Sequence, residues 1–133
     1  MILVDTSIWV DHLRHGVKSL AELLNRGMVL AHPFVIGELA LGVLRQRALV
    51  LDALSHLPQA IVANEVEVLQ FIDRHRLFGR GIGYIDVHLL AAVRLTGGAT
   101  LWTHDKRLDS IAEGLGLAMK RATAFSQSPK NID

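Results

Sequence analysis

Asp5, Glu38, Asp86 and Asp105 are carboxylates placed where that side chain has little ordinary use. Asp5 follows the apolar run Ile2-Leu3-Val4, and Asp105 follows a second run at residues 100–103. Glu38 shares a helical stripe with Phe34 and Leu41, and no other charge occurs between Pro33 and Leu44. Asp86 precedes Leu90 and Val93 at helical spacing, again on a stripe that belongs in a core. Each has a plain alternative. Asp is a common helix N-cap, and a buried salt bridge or a partly exposed face would account for Glu38 and Asp86. Gathered in one pocket, however, the acids would repel each other and lose hydration, which calls for a cation. The chain has no cysteine, so the ligands are oxygen and the ion a hard one, Mg²⁺ or Mn²⁺, its shell completed by water and substrate phosphate. Such an ion lowers the pKa of water, orients it for in-line attack on a phosphodiester and neutralises the leaving oxygen. That is the chemistry of a nuclease.

A scaffold that brings these acids together must join distant parts of the chain. The run at residues 2–4 suits a strand buried on both faces, and the apolar spacing after it predicts two helices broken at Gly16 and Gly27. A second strand is expected at 28–31, then a helix from Pro33 through 44 and another at 49–57, ending at Pro58. Residues 60–63 form a third strand candidate, and Asn64 with Glu67 makes a capping box for a helix reaching about residue 78. Gly79, Gly81 and Gly83 form a loop before a helix at 84–95 that ends at Gly97-Gly98. A fourth strand at 100–103, a helix at 106–113 and a last short strand at 117–119 complete the pattern. Strands alternating with helices predict an α/β fold, a three-layer α/β/α sandwich with a central, mainly parallel sheet. In such a sheet acids just after strands converge at the carboxyl ends. The expected organisation is one domain at residues 1–122 with a polar tail at 123–133.

The ordered set of Asp5-Thr6-Ser7 after the first strand, Glu38 in an apolar helix, Asp86 in Tyr84-Ile85-Asp86-Val87-His88-Leu89-Leu90-Ala91-Ala92, and Leu101-Trp102-Thr103-His104-Asp105-Lys106-Arg107-Leu108 resembles a PIN domain of the VapC toxin type over nearly the whole chain. The resemblance implies a metal-dependent endoribonuclease, the toxin of a type II toxin–antitoxin pair, dimeric and inhibited by a VapB-like antitoxin that covers the active groove. It matches Asp5, Glu38, Asp86 and Asp105 to the family's acidic quartet, with Asp5 and Asp86 the most direct ligands of Mg²⁺ or Mn²⁺. Glu38 would ligate directly or through water, and Asp105 would act as an outer ligand or water orienter. Thr6 would hold Asp5 and the strand end, and Thr103 would steady the pocket.

An RNA substrate also requires cations that position its backbone without reading bases. Arg45, Arg47, Arg80, Lys106 and Arg107 are the candidates, each with the alternative of an ordinary surface charge. The histidines lack the spacing of a zinc motif, and His88 and His104 are expected to be structural or to support the acids. The glycine loop lacks the Gly-Lys-Ser/Thr ending of a Walker loop, and Trp9 and Trp102 fit a core or a dimer interface.

Composition limits the remaining choices. In 133 residues, 14 Lys and Arg against 13 Asp and Glu give +1, so any charged function is local rather than global. No segment has the length or flanks of a membrane span or signal peptide, which points to a cytoplasmic protein with no membrane partner. The mean hydropathy of +0.32 is high for so small a domain and implies apolar surface covered by a partner. Two further readings use the same fold. One is a catalytically inactive, PIN-like protein-binding module in which the acids serve as caps and salt bridges. The other, an aspartyl-phosphate enzyme, is weakened because Ser7 stands where a second Asp would be needed.

Overall fold

The computed structural model describes residues 1–120; the expected tail at 123–133 lies outside the described residues. The strand β1 (Ile2–Val4) is central in a three-stranded parallel sheet, with β2 (Val29–Leu30) on one side and β3 (Thr100–Trp102) on the other. Its register pairs Leu3 with both Leu30 and Leu101, and Val4 with Trp102. Leu3 and Val4 are wholly buried, as a strand covered on both faces requires. Among the described residues seven helices complete the sandwich: α1 (Thr6–His15), α2 (Lys18–Asn25), α3 (Pro33–Leu41), α4 (Arg47–Ser55), α5 (Glu65–His75), α6 (Tyr84–Leu95) and α7 (Lys106–Gly114). Contacts run from α1 to α3 to α4, while α5 packs on α6, and both α6 and α7 pack against β3.

Local chemistry explains most boundaries. The Asn64 side chain accepts from Glu67 N–H while Glu67 accepts from Asn64 N–H, each at 2.8 Å, so the expected capping box starts α5. Pro33 occupies the first turn of α3, where its missing N–H costs nothing. That helix ends at Leu41 rather than at residue 44, because Gly42 turns to an extended conformation.

Two expected strands are reduced to single bridges at the sheet edges. Instead of a strand at 60–63, Gln59 bridges Ala31 and Ala60 N–H donates to Ala31. The next N–H, from Ile61, goes to Thr96 Oγ1 at 2.9 Å, which diverts the backbone from the ladder toward the end of α6. Instead of a strand at 117–119, Ala118 bridges Leu101, with backbone bonds on either side. Trp9 and Trp102 are both buried and belong to the core, which settles their choice between core and interface. Among the described residues no helix is long and apolar enough to cross a membrane.

Candidate active site

The sheet brings Asp5 and Asp105 to the carboxyl ends of neighbouring parallel strands. Asp5 N–H donates to the Trp102 carbonyl at 2.9 Å, which extends the β1–β3 ladder and leaves the Asp5 side chain at its edge. The carboxylate is buried, 8% exposed, and its Oδ2 accepts from Thr103 Oγ1 at 2.7 Å and from Ser7 Oγ at 3.0 Å. Thr103 Oγ1 also accepts from Asp105 N–H at 3.0 Å, so one buried hydroxyl ties the first acid to the last. Ser7 Oγ in turn accepts from His104 N–H at 3.0 Å.

The other acids come from helices. Glu38, half-buried on α3, accepts from Thr6 Oγ1 at 2.6 Å, a bond from the first residue of α1. Asp86, half-buried in the first turn of α6, accepts from Gly83 N–H at 3.1 Å. Asp105 caps α7 by accepting from Leu108 N–H at 3.0 Å, whereas Asp5 makes no cap bond to α1. The N-cap alternative therefore holds for Asp105 and fails for Asp5.

Burial raises the Asp86 pKa first, and the negative charges of Asp5, Asp105 and Glu38 raise it further, against the lowering effect of the Gly83 N–H. Asp86 thus lies within electrostatic reach of the other three carboxylates. None is tied to a Lys or Arg within 4.0 Å among the described residues. Each has one oxygen held by a neighbouring donor and, among the described residues, the other oxygen without a hydrogen-bond partner. Also among the described residues, no group of three or more His, Asp or Glu side chains is placed so that together they could hold a metal ion. A divalent ion here would be held by one or two of these carboxylates with water completing its shell, a mode of binding open to Mg²⁺.

The PIN domain family matches residues 2–114. The chain belongs to the PIN domain family. A protein named Ribonuclease VapC32 from Mycobacterium tuberculosis, in both strain CDC 1551 / Oshkosh and strain ATCC 25618 / H37Rv, is 50% identical over 119 residues, or 90% of this chain and 96% of the relative. Within the PIN family the chain is of the VapC type.

In this PIN domain two hydroxyls have roles other than those expected. Thr6 holds Glu38 rather than Asp5, and Ser7, which sequence reasoning passed over, holds Asp5. The signal for Ser7 was its position two residues after an acid at a strand end, where its hydroxyl returns to the carboxylate. Glu38 is on the site side of α3, but its stripe is not core: Leu41 is 90% exposed, and Val35 and Leu39 carry the buried face. Asp86 does share a stripe with buried Leu90 and Val93.

The basic candidates separate. Arg80, Lys106 and Arg107 line one cleft, and Arg45 lines a groove with Glu38. Arg47 Nη2 donates to the Ala40 carbonyl at 2.7 Å, which closes the end of α3. His88 is buried, its ring packed edge-on against Phe34 and Tyr84, and burial lowers its pKa. His104 is at the surface and reaches Asp11 at 3.2 Å.

Thr103→Val tests the hydroxyl link. It leaves the Asp105 N–H and part of the Asp5 carboxylate unpaired, and is expected to cost about 1–3 kcal/mol of stability. Mn²⁺ affinity, followed by calorimetry, is expected to fall about 10- to 100-fold, as for other groups that orient ligands. Wild-type affinity in the folded variant would contradict this role for Thr103.

Proposed function

We propose that the protein is a Mg²⁺- or Mn²⁺-dependent endoribonuclease, the toxin of a type II toxin–antitoxin pair. What supports the reading is that Asp5, Asp105 and Glu38, from separate elements, lie near enough to Asp86 for their charges to act on it, each of the four carboxylates having one oxygen without a hydrogen-bond partner and none paired to Lys or Arg among the described residues. The name of the VapC32 relative supports RNA as substrate.

Asp5 and Asp86 would hold the cation, Glu38 would join them directly or through water, and Asp105 would orient water from the edge of the pocket. When bound, the ion supplies a nucleophile at neutral pH and offsets charge on the phosphate and the leaving oxygen. Thr103 and Ser7 hold Asp5, Thr6 holds Glu38, the Gly83 N–H holds Asp86 and the Leu108 N–H holds Asp105, so each acid keeps its place without a cationic side chain competing with the ion for it. Arg45, Arg80, Lys106 and Arg107 would attract the RNA backbone to the pocket, and Arg47 would contribute only its outer surface. Water forms the new bond to phosphorus and the 3′-oxygen leaves with a proton, giving a 5′-phosphate and a 3′-hydroxyl.

A VapB-like antitoxin is the expected partner. A groove of about 520 Å³ between α1 and α3 is lined by Val10, Leu13, Leu39 and Val43 and includes Glu38, so an apolar segment lying in it would reach the acids. Exposed Leu41 and Val43 extend its apolar rim. A homodimer in the cytoplasm completes the proposal, with residues 1–122 as the catalytic domain.

Sequencing the ends of RNA cut by the purified protein with Mg²⁺ tests the reaction. Ends bearing 5′-phosphate and 3′-hydroxyl are expected. A 2′,3′-cyclic phosphate would mean that the ribose hydroxyl, not water, is the nucleophile.

A further inference from the structure

Arg80, Lys106 and Arg107, with Ser110 beside them, line an open cleft of about 300 Å³. Its charge is unfavourable as it stands. Lys106 and Arg107 are in the first turn of α7, the positive end of the helix dipole, where cations cost energy and where the Asp105 cap and Asp109 offset only part of the positive charge. Arg80 adds a third positive charge, and among the described residues no Asp or Glu oxygen lies within 4.0 Å of any of the three. An anion would relieve both the dipole and the mutual repulsion.

The cleft is also built. Gly81 has φ +81°, and a Cβ placed on it would overlap the Arg107 guanidinium, with Cδ and Cζ also within 3.1 and 3.2 Å. The loop backbone therefore lies against the Arg107 side chain; the positive φ favours glycine, and a Cβ here would require the guanidinium to shift. A long side chain on a surface is normally free to move, and here one face of it is taken. A guanidinium so placed presents its fork of N–H donors for bidentate contact with a phosphate, with Lys106 and Arg80 as charges and Ser110 as a hydroxyl donor.

The position connects the cleft to the acids. Lys106 and Arg107 directly follow Asp105, and Arg80 is in the loop leading to Gly83, whose N–H holds Asp86. Asp86 and Asp105 are close enough for the charge of one to shift the pKa of the other. The cleft thus adjoins the acidic pocket while carrying the opposite charge.

We propose that this cleft is a subsite for a non-scissile phosphodiester of single-stranded RNA, the linkage next to the one cut, and that Gly81 positions Arg107 to receive it. The inference rests on the ribonuclease reading. Phosphate contacts fix register without reading sequence, so the subsite would set which linkage reaches the acids while base preference arises elsewhere.

The test uses a fluorescein-labelled 12-nucleotide RNA spanning a cleavage site of the wild-type protein. Arg107→Ala is expected to lower kcat/KM about 10-fold or more, mainly through KM, as for loss of a hydrogen bond to a charged group. The slope of log K against log salt should become shallower by about 0.7. Gly81→Ala keeps every charge but displaces the guanidinium and should give a similar rise in KM. Arg107→Lys, which needs no backbone change, should recover only part of the loss. Arg26→Ala, exposed at the end of α2, should match wild type. A neutral methylphosphonate at the neighbouring linkage should weaken wild type as much as Arg107→Ala does, and should cost that variant little more. Wild-type KM in folded Arg107→Ala and Gly81→Ala, or additive loss from the methylphosphonate in Arg107→Ala, would overturn the subsite while leaving the ribonuclease reading intact. A wild-type protein that cuts no RNA with Mg²⁺ would overturn the ribonuclease reading and the subsite with it.

Discussion

Asp86→Asn is expected to lose RNA cleavage by on the order of 10³-fold or more, exceeding the cost of losing a single charge-stabilising donor. The loss should come without unfolding. Asn can still accept the Gly83 N–H, so the first turn of α6 keeps its local bond. What disappears is a half-buried charge that three neighbouring carboxylates disfavour. The sign of the stability effect follows from linkage. The folded pKa of Asp86 is raised above the model value of 3.8, so the protonated form contributes stability that is present below about 3.8 and lost as pH rises through the folded pKa. At neutral pH the wild-type protein without metal lacks that contribution. The metal-free variant should therefore melt at a higher temperature than metal-free wild type while being inactive. A lower melting temperature would show that the acid pocket is not strained by repulsion, and retained cleavage would remove Asp86 from the chemistry.

Removal of divalent cations is expected to abolish cleavage and to destabilise the wild-type protein relative to its metal-loaded state. A ligand that binds only the folded chain adds about 2.7 kcal/mol at a concentration 100 times its Kd. For a domain of this size that is a shift in melting temperature on the order of 10 °C. Thermal unfolding followed with EDTA and then with excess Mg²⁺ reads the shift directly. It should shrink in Asp86→Asn and shrink on acidification, because a protonated Asp86 no longer attracts the ion. Full cleavage after exhaustive chelation would contradict a metal-dependent reaction.

Much of the scaffold was legible because its signals are local. The run Ile2-Leu3-Val4 ending in Asp5 has the composition of a doubly covered strand, and the Asn64–Glu67 pair specifies the start of α5 through bonds spanning only one helical turn. The strand at 60–63 was misread because a distant hydroxyl decides it: Thr96 takes the Ile61 N–H that a ladder would have used. Helical spacing accounts for Glu38 only in part. Its stripe through Leu41 is mostly exposed, and what directs the carboxylate inward is the bond from Thr6. The division of labour between Thr6 and Ser7 depends on how α1 leaves the sheet, which adjacent hydroxyls in sequence do not encode. The contact between Gly81 and Arg107 was equally hidden, since the two residues meet only after α6 and β3 have packed.

The central claim is that the four acids are held in one pocket by a shared divalent ion. Anomalous scattering from a Mn²⁺-soaked crystal of the wild-type protein tests it most directly. The account predicts a single strong peak bounded by Asp5, Glu38, Asp86 and Asp105, lost in crystals of Glu38→Gln. A pocket with no peak at saturating Mn²⁺, or with the acids turned away onto arginine partners, would contradict it.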